Sequence, residues 1–273
     1  MDVLIVGGGG REHALAWRLA QSPALGELHA APGNPGIARL GTCHAVAADD
    51  TGALVALSRK LAVDLVVIGP EAPLVAGLGD ELRDAGVAAF GPSAEAARIE
   101  GSKSFAKDVL RAAGVPTAEE LVAPRAPCVV KADGLAAGKG VFVCETEAEL
   151  AEALPRAEAL GGSVVVEELL EGREVSLFAL CDGERALTLA PAQDFKRLLD
   201  DDRGPNTGGM GSYSPVPWLE AGEAEALTER VHLPVLRKLA ARGSPFHGLL
   251  YAGLMLTEEG PGVLEFNCSF GDP

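Results

Sequence analysis

Aromatic residues are scarce in this 273-residue chain, at 4% of the sequence, so its cores must be built mainly from Ala, Val and Leu. Basic residues are also few: 23 Lys and Arg stand against 39 Asp and Glu, a formal net charge of −16. No dense Lys/Arg block interrupts that field, which works against binding nucleic acid or an anionic membrane face. A local cationic pocket for a phosphorylated small molecule remains compatible with it. Cysteine is sparse as well, with Cys43, Cys128, Cys144, Cys181 and Cys268 odd in number and scattered. No pair has metal-ligand spacing, and only His44 beside Cys43 brings a histidine next to a thiol. Reduced, mostly buried thiols follow. Long apolar runs are missing too. Val3 to Val6 is too short for a secretory signal and is preceded by Asp2, and nothing reaches bilayer-spanning length. A soluble, cytoplasmic protein is expected. The 48% hydrophobic content excludes a disordered chain, and the length predicts two units with their own cores.

The chain reads as α/β. Residues 2–6 (DVLIV) are a buried strand leaving its sheet through Gly7 to Gly10, followed by a helix over 11–21. A strand at 28–31, a helix at 51–61, a strand at 64–68, a helix at 74–85 and a strand at 87–90 complete the first unit. Strands alternating with helices at this spacing predict a parallel, doubly wound, Rossmann-like sheet. Past Gly101 the style changes to α+β. A helix at 102–113 leads to strands at 127–131, 141–144, 163–167, 174–181 and 185–191, with one helix near 146–159 among them. A helix at 219–241 precedes strands at 249–256 and 262–267. The boundary therefore divides the chain into 1–101 and 102–273. Residues 193–215 read as a long polar connection with a glycine cluster, of a size that is usually functional or disordered.

Two glycine loops invite phosphate chemistry. In the first, Gly7-x-Gly9 fits the start of a dinucleotide fingerprint, but Glu12 stands at the third glycine. The acid expected at the end of the second strand is also absent, which disfavours NAD or FAD. Backbone N–H groups at a helix start beside Arg11 suit an anion; a tight turn with solvated Arg11 and Glu12 is the other reading, and the loop alone leaves both open. The second loop, VVKADGLAAGKGVFV (129–143), holds Gly134, Gly138 and Gly140 between Lys131 and Lys139. It is not a P-loop, because Asp133 replaces the first glycine and Gly140 the magnesium-binding Ser or Thr. A hairpin of backbone donors and two lysines still makes a good cover for a polyphosphate. Lys131 lies in a strand expected to be buried, and a buried lysine needs an anionic partner.

Acids close two further strands. Glu167 and Glu168 end one, with Leu169, Leu170 and Glu174 after them; surface groups, or acceptors for adenine and ribose, are both compatible with that position. In VLEFN, strict alternation puts Val263, Glu265 and Asn267 on one face, where an acid and an amide suit magnesium carried by a nucleotide as well as a solvated polar face.

These pieces, in this order, resemble the glycinamide ribonucleotide synthetase (phosphoribosylamine–glycine ligase) family of the ATP-grasp superfamily. The stretches that carry the resemblance are VGGGGREHALAW, APGNPG, IGPEAPL, GPSAEAARIEGSKSFAKD, KADGLAAGKGV, PNTGGMGSYSP, LYAGLMLT and LEFNCSFGDP, nearly the whole chain. The resemblance implies a Rossmann-like domain followed by an ATP-grasp module. It implies that Lys107 and Lys131 meet ATP phosphates under the loop of Gly134, Gly138, Lys139 and Gly140. Glu167, Glu168 and Leu170 then match an adenine-holding hinge, Glu174 a ribose ligand, and Glu265 and Asn267 ligands of Mg2+ or Mn2+. Gly10, Arg11 and Glu71 fall near phosphoribosylamine; Asp194, Lys196, Asn206 and Thr207 fall near glycine and an acyl phosphate, with Lys131, Asp194 and Lys196 the catalytic set. The implied reaction joins glycine to 5-phosphoribosylamine with ATP, through glycyl phosphate, in purine biosynthesis. No protein nucleophile is needed, in keeping with a sequence lacking a Ser/His/Asp or Cys/His constellation. The implied partners are small molecules only, and a monomer is expected. A nucleotide-binding module without turnover, or another ATP-grasp ligase, are the alternatives. Ser269 stands where the family motif NCRFGDPE has arginine, and Phe195 where the family's QDHKR stretch has histidine. The chain ends at Pro273, so the family's C-terminal domain is expected to lie outside it.

Overall fold

In this computed structural model the described residues are 1–135, 140–200 and 203–270, with the side chains of 203, 205, 206 and 208 outside the description. The first hundred residues build a five-stranded, all-parallel sheet. In chain order its elements are β1 (Val3–Gly7), α1 (Gly10–Leu19), β2 (Leu28–Pro32), β3 (Thr42–Cys43), α2 (Thr51–Leu61) and β4 (Leu65–Ile68). They continue with α3 (Glu71–Ala76), α4 (Leu78–Asp84), β5 (Ala89–Phe90) and α5 (Ala94–Gly101). The strand order is β3-β2-β1-β4-β5, so the winding reverses between β1 and β4. A crevice outside the carboxyl ends of the strands at such a reversal is where ligands bind in this architecture. The helix predicted over 74–85 is instead two short helices. Gly77, at φ +97°, breaks the chain between them in a conformation that side chains rarely adopt.

The rest of the chain forms two antiparallel sheets and a ribbon. After α6 (Lys103–Ala113), a three-stranded sheet of β6 (Cys128–Ala132), β7 (Val141–Cys144) and β8 (Val164–Glu168), ordered β7-β6-β8, is covered by α7 (Glu147–Gly161). Next come β9 (Arg173–Asp182), β10 (Ala186–Thr188), β11 (Gln193–Leu199), β12 (Arg203–Tyr213), α8 (Glu223–Ala241), β13 (His247–Thr257) and β14 (Gly260–Asn267). A four-stranded sheet runs β10-β9-β13-β14, while β11 and β12 pair only with each other. The stretch read as a polar connection is therefore mostly this antiparallel ribbon; Phe195, Leu198, Leu199 and Met210 remain exposed on it, which is why it lacks a strand's buried apolar signal.

The cores do not divide as the two-unit expectation had it. Leu4 and Val6 of β1 belong to one continuous cluster with Leu110 of α6, Leu236 of α8, Leu177 of β9 and Leu254 of β13. The opposite face of the first sheet, with Val3, Ile5 and Ala16, has a smaller cluster. The β6–β8 sheet also keeps a separate core, made by Cys128, Val130, Cys144, Leu150, Ala153 and Val166. Among the described residues no helix is long and apolar enough to cross a membrane.

Asp133, at the turn after β6, fastens this separate lobe to α6. Its carboxylate accepts from the hydroxyl of Ser104 at 2.7 Å and from the N–H of Lys103 at 2.6 Å, a backbone donor that an isolated helix start leaves open. Replacing Asp133 with alanine is expected to cost about 1–2 kcal/mol of stability, the usual size of a lost helix cap. Urea unfolding would check it, and a change below a few tenths of a kcal/mol would count against the fastening.

The β13–β14 pairing shifts register once. Gly253 opposes Glu265, but Leu254 opposes Val263, so Leu264 is an extra residue in β14. That bulge overturns the strict alternation read from VLEFN. Val263 turns into the main core at 0% exposure, while Glu265 and Asn267 face the other way.

Candidate active site

Three groups of side chains meet along the end of β14. The first is an ion triad. Glu167, at the end of β8, reaches Lys107 of α6 at 3.0 Å and Lys131 of β6 at 2.6 Å, and all three side chains are buried. This is the anionic partner that a buried Lys131 required. Lys107 also donates to the carbonyl of Ala118, and Lys131 donates to the carbonyl of Leu264 at 2.9 Å, the residue of the bulge. Burial lowers the pKa of Lys107 and the nearby Lys131 ammonium lowers it further, against the pull of Glu167.

The second group surrounds Lys196 of β11. Its ammonium lies 2.7 Å from Glu174, 3.4 Å from Glu265 and 3.8 Å from Asp194. Burial opposes its charge, but the carboxylates of Glu265, Glu174 and Asp194 hold its pKa well above the usual lysine range. Burial pushes Glu265 up, yet Lys196, Lys131 and Lys103 together bring it below the ordinary carboxylate range. Glu174 goes the other way, raised by burial against the pull of Lys196. Asp194 also accepts from the Ser176 hydroxyl at 3.1 Å, and Ser176 reaches Tyr251 at 3.4 Å. Thr207 donates to the carbonyl of Lys196 at 2.9 Å and so pins β11 against β12.

The third group lines the crevice at the reversal of the first sheet. Glu12 folds back over the start of α1, accepting from the N–H of Gly9 at 2.6 Å and from Arg11 at 2.5 Å. Gly7 and Gly69 both border this carboxylate, and a methyl group at either would strike it. The loop thus supplies its own anion at the helix start, which is a physical reason why a pyrophosphate does not fit there. Arg11 also donates to the hydroxyl of Ser269 at 3.2 Å, so the family's arginine position holds a short side chain that a guanidinium from the first sheet reaches. Gly10 opens α1, and Glu71 opens α3 across the crevice.

Other sequence-predicted residues lie around these groups. Gly134 accepts from the Lys103 ammonium at 3.3 Å, and Gly140 closes the hairpin by accepting from the N–H of Ala132 at 2.8 Å. Gly138 and Lys139 fall outside the described residues, as does the Asn206 side chain. Glu168 accepts from the N–H of Glu119 at 2.8 Å, and Leu170 packs over Gly262. Asn267 lies on the same strand face as Glu265 and pairs in register with Tyr251. Phe195 is exposed and lies against Tyr213, with ring centroids 6.2 Å apart.

Sequence reasoning missed Lys103, Ser176, Tyr251 and Glu100. Glu100, at the end of α5, accepts from the N–H of Cys268 at 2.6 Å. The first three join chemistry already assigned to their neighbours. Glu100 had no signal beyond its place just before the Gly-Ser-Lys that starts α6. Among the described residues no group of three or more His, Cys, Asp or Glu could hold a metal ion. Glu265 and Asn267 offer one carboxylate and one amide oxygen. That hard-oxygen set suits a divalent cation whose remaining ligands are phosphate oxygens and water.

The end of β14 and the two residues after it thus touch all three groups, Leu264 the triad, Glu265 the Lys196 cluster and Ser269 Arg11, while Cys268 meets Glu100 beside them. Such an arrangement can hold a polyphosphate at buried lysines, keep a cationic group beside an acyl acceptor, and present the first sheet's crevice to the same point. Residues 1–100 match the family model described as phosphoribosylglycinamide synthetase, N domain, and residues 101–273 match its ATP-grasp (A) domain. Over its whole length the chain is 53% identical to a phosphoribosylamine–glycine ligase of Streptomyces coelicolor, covering 68% of that protein. It is 50% identical to one from Agrobacterium fabrum, covering 69%. The crystal structure of phosphoribosylamine–glycine ligase from Thermotoga maritima superposes on all of the chain with a TM-score of 0.82 and 34% identity, 70% of that structure being covered. The chain belongs to the phosphoribosylglycinamide synthetase family.

Proposed function

We infer that the protein ligates glycine to 5-phosphoribosylamine with ATP, giving glycinamide ribonucleotide, ADP and phosphate. The observation that carries the reading is the convergence at the end of β14, where a lysine pair suited to phosphate, a charged cluster and the crevice of the first sheet meet. The chain divides functionally at residue 101, and the protein works as a cytoplasmic monomer.

On this reading, glycine's carboxylate attacks the γ-phosphorus of ATP and ADP leaves. The sugar amine then attacks the acyl carbon of glycyl phosphate, and phosphate departs with the electrons of the broken C–O bond. Charge moves through every step, so fixed cations outside bulk water do most of the work. Lys107 and Lys131 take the nucleotide's phosphates, helped by Lys103 under the hairpin of Gly134, Gly138, Lys139 and Gly140. Glu167, Glu168 and Leu170 form the adenine hinge, Glu167 with its carboxylate turned to the two lysines, and Glu174 holds ribose. Asp194, Lys196, Asn206 and Thr207 position glycine and the acyl phosphate. Gly10, Arg11 and Glu71 receive the phosphorylated sugar. Glu265 and Asn267 would hold a divalent cation carried on the phosphates, Mg2+ or Mn2+, which offsets their charge when bound. Lys196 matters because its neighbouring carboxylates keep it protonated throughout.

The test is ADP release by the protein expressed from its complete reading frame, with each substrate omitted in turn. Release that needs both glycine and phosphoribosylamine is expected. Release indifferent to glycine, or none with all three substrates present, would sink the reading.

A further inference from the structure

Ligation brings the sugar amine to the acyl carbon, so the substrates must meet between the crevice of the first sheet and the Lys196 cluster. Glu100 stands at that seam. Its Oε2 accepts from the N–H of Cys268 at 2.6 Å, one residue before Ser269, which Arg11 holds. The charged groups facing it are Glu71 from α3, Glu265 from β14 and Arg11 from α1, with the Cys268 thiol beside it.

Four acids in these groups have cationic partners. Glu12 is held by Arg11, and Glu174, Asp194 and Glu265 share Lys196. Glu100 instead has a backbone donor on one oxygen and two carboxylates in view. Burial raises its pKa to about 7, the Cys268 N–H opposes, Glu71 and Glu265 add to the rise, and Arg11 opposes again. A carboxyl in this range accepts a proton efficiently near neutral pH.

We propose that Glu100 receives the amino group of the amine substrate and takes its proton as the new C–N bond forms. The nitrogen lone pair makes the bond to the acyl carbon, the C–O bond to phosphate breaks, phosphate leaves with that electron pair, and the amine's proton passes to Glu100. The proposal rests on the ligase reading and assigns the group that distinguishes an amine from other nucleophiles.

Glu100→Gln keeps the shape and the acceptor for Cys268 but cannot take a proton. The experiment measures turnover with ATP, glycine and either phosphoribosylamine or hydroxylamine, a nucleophile that attacks acyl phosphates without a base. The variant is expected to lose roughly a hundredfold in turnover with phosphoribosylamine. It should keep most of its hydroxamate formation and lose the acidic limb of the wild-type pH profile, while Glu100→Asp recovers part of the loss. Equal loss in both arms would make Glu100 a purely structural residue and overturn the assignment, as would no loss in either. A wild-type protein inactive in both arms would instead overturn the ligase reading, and the assignment with it.

Discussion

Glu167→Gln is expected to destabilise the protein by about 3–5 kcal/mol, the usual cost of breaking a buried ion pair by removing one partner. The substitution is isosteric, so the loss comes from charge rather than from packing. Glu167 is the one carboxylate within ion-pair distance of both Lys107 and Lys131 among the described residues. Without it, two buried ammonium groups face each other, and Lys107, already lowered by burial, has to give up its proton or draw in water. Nucleotide phosphates could replace the missing charge. The variant's melting temperature should therefore rise more with Mg-ATP than that of the wild type, because a ligand that binds only the folded state stabilises by mass action. Chemical denaturation with and without nucleotide measures both effects. A loss under about 1 kcal/mol, the size of an exposed pair, would mean that the triad is effectively solvated.

The second large effect belongs to His232 of α8, which is fully buried. Its Nε2 lies 3.1 Å from the carbonyl of Leu250, and since a carbonyl can only accept, the hydrogen sits on Nε2. Nδ1 has no hydrogen-bond partner, alone among the buried side-chain polar atoms described. A second proton would land there, in an apolar setting against the edge of Phe266. Burial accordingly lowers the pKa from 6.5 to about 4, the Leu250 carbonyl opposing. Between those values the unfolded chain binds the proton and the folded chain does not. The contribution is thus full above pH 6.5 and is lost as pH falls toward 4. At 1.36 kcal/mol per unit it amounts to about 3 kcal/mol. Glu100 acts in the opposite sense. Its raised pKa contributes stability at low pH that is lost as pH rises from the carboxylate range through about 7, so the wild-type profile alone blurs both. The comparison with His232→Leu separates them. Relative to wild type, the variant should gain about 3 kcal/mol on going from pH 7 to pH 4. Parallel profiles would show that His232 is reached by water.

Much of this fold was legible because its apolar runs are short and bounded by glycine and proline. DVLIV, read as a buried strand, and the strand read at 64–68 are β1 and β4, each flanked on both sides by partners. The ribbon of β11 and β12 was not legible. Its backbone pairs, but its described side chains bury too little to leave an alternating pattern. Lys131 announced its need for an anion, although nothing local said that Glu167 would serve two lysines at once. The pairing of Glu265 with Lys196 depends on β11 crossing near β14, a long-range event with no short-range signature. Val263 was misplaced for a definite reason: alternation assumes an uninterrupted ladder, and one extra residue at Leu264 inverts the phase beyond it. Glu100 was invisible because an acid near a helix end is ordinary until the N–H of Cys268 is set against it.

The separate core beneath β6, β7 and β8 carries a consequence for how the molecule comes apart. Partial opening follows lines along which few apolar contacts must be broken. The first sheet cannot peel from β9 and β13 without splitting one continuous interior. The β6–β8 sheet and α7 can leave with their own interior intact, once the ties at Asp133, Lys131 and Glu167 let go. Hydrogen exchange should then find two tiers of amide protection, with the faster-exchanging tier mapping to β6, β7, β8 and α7.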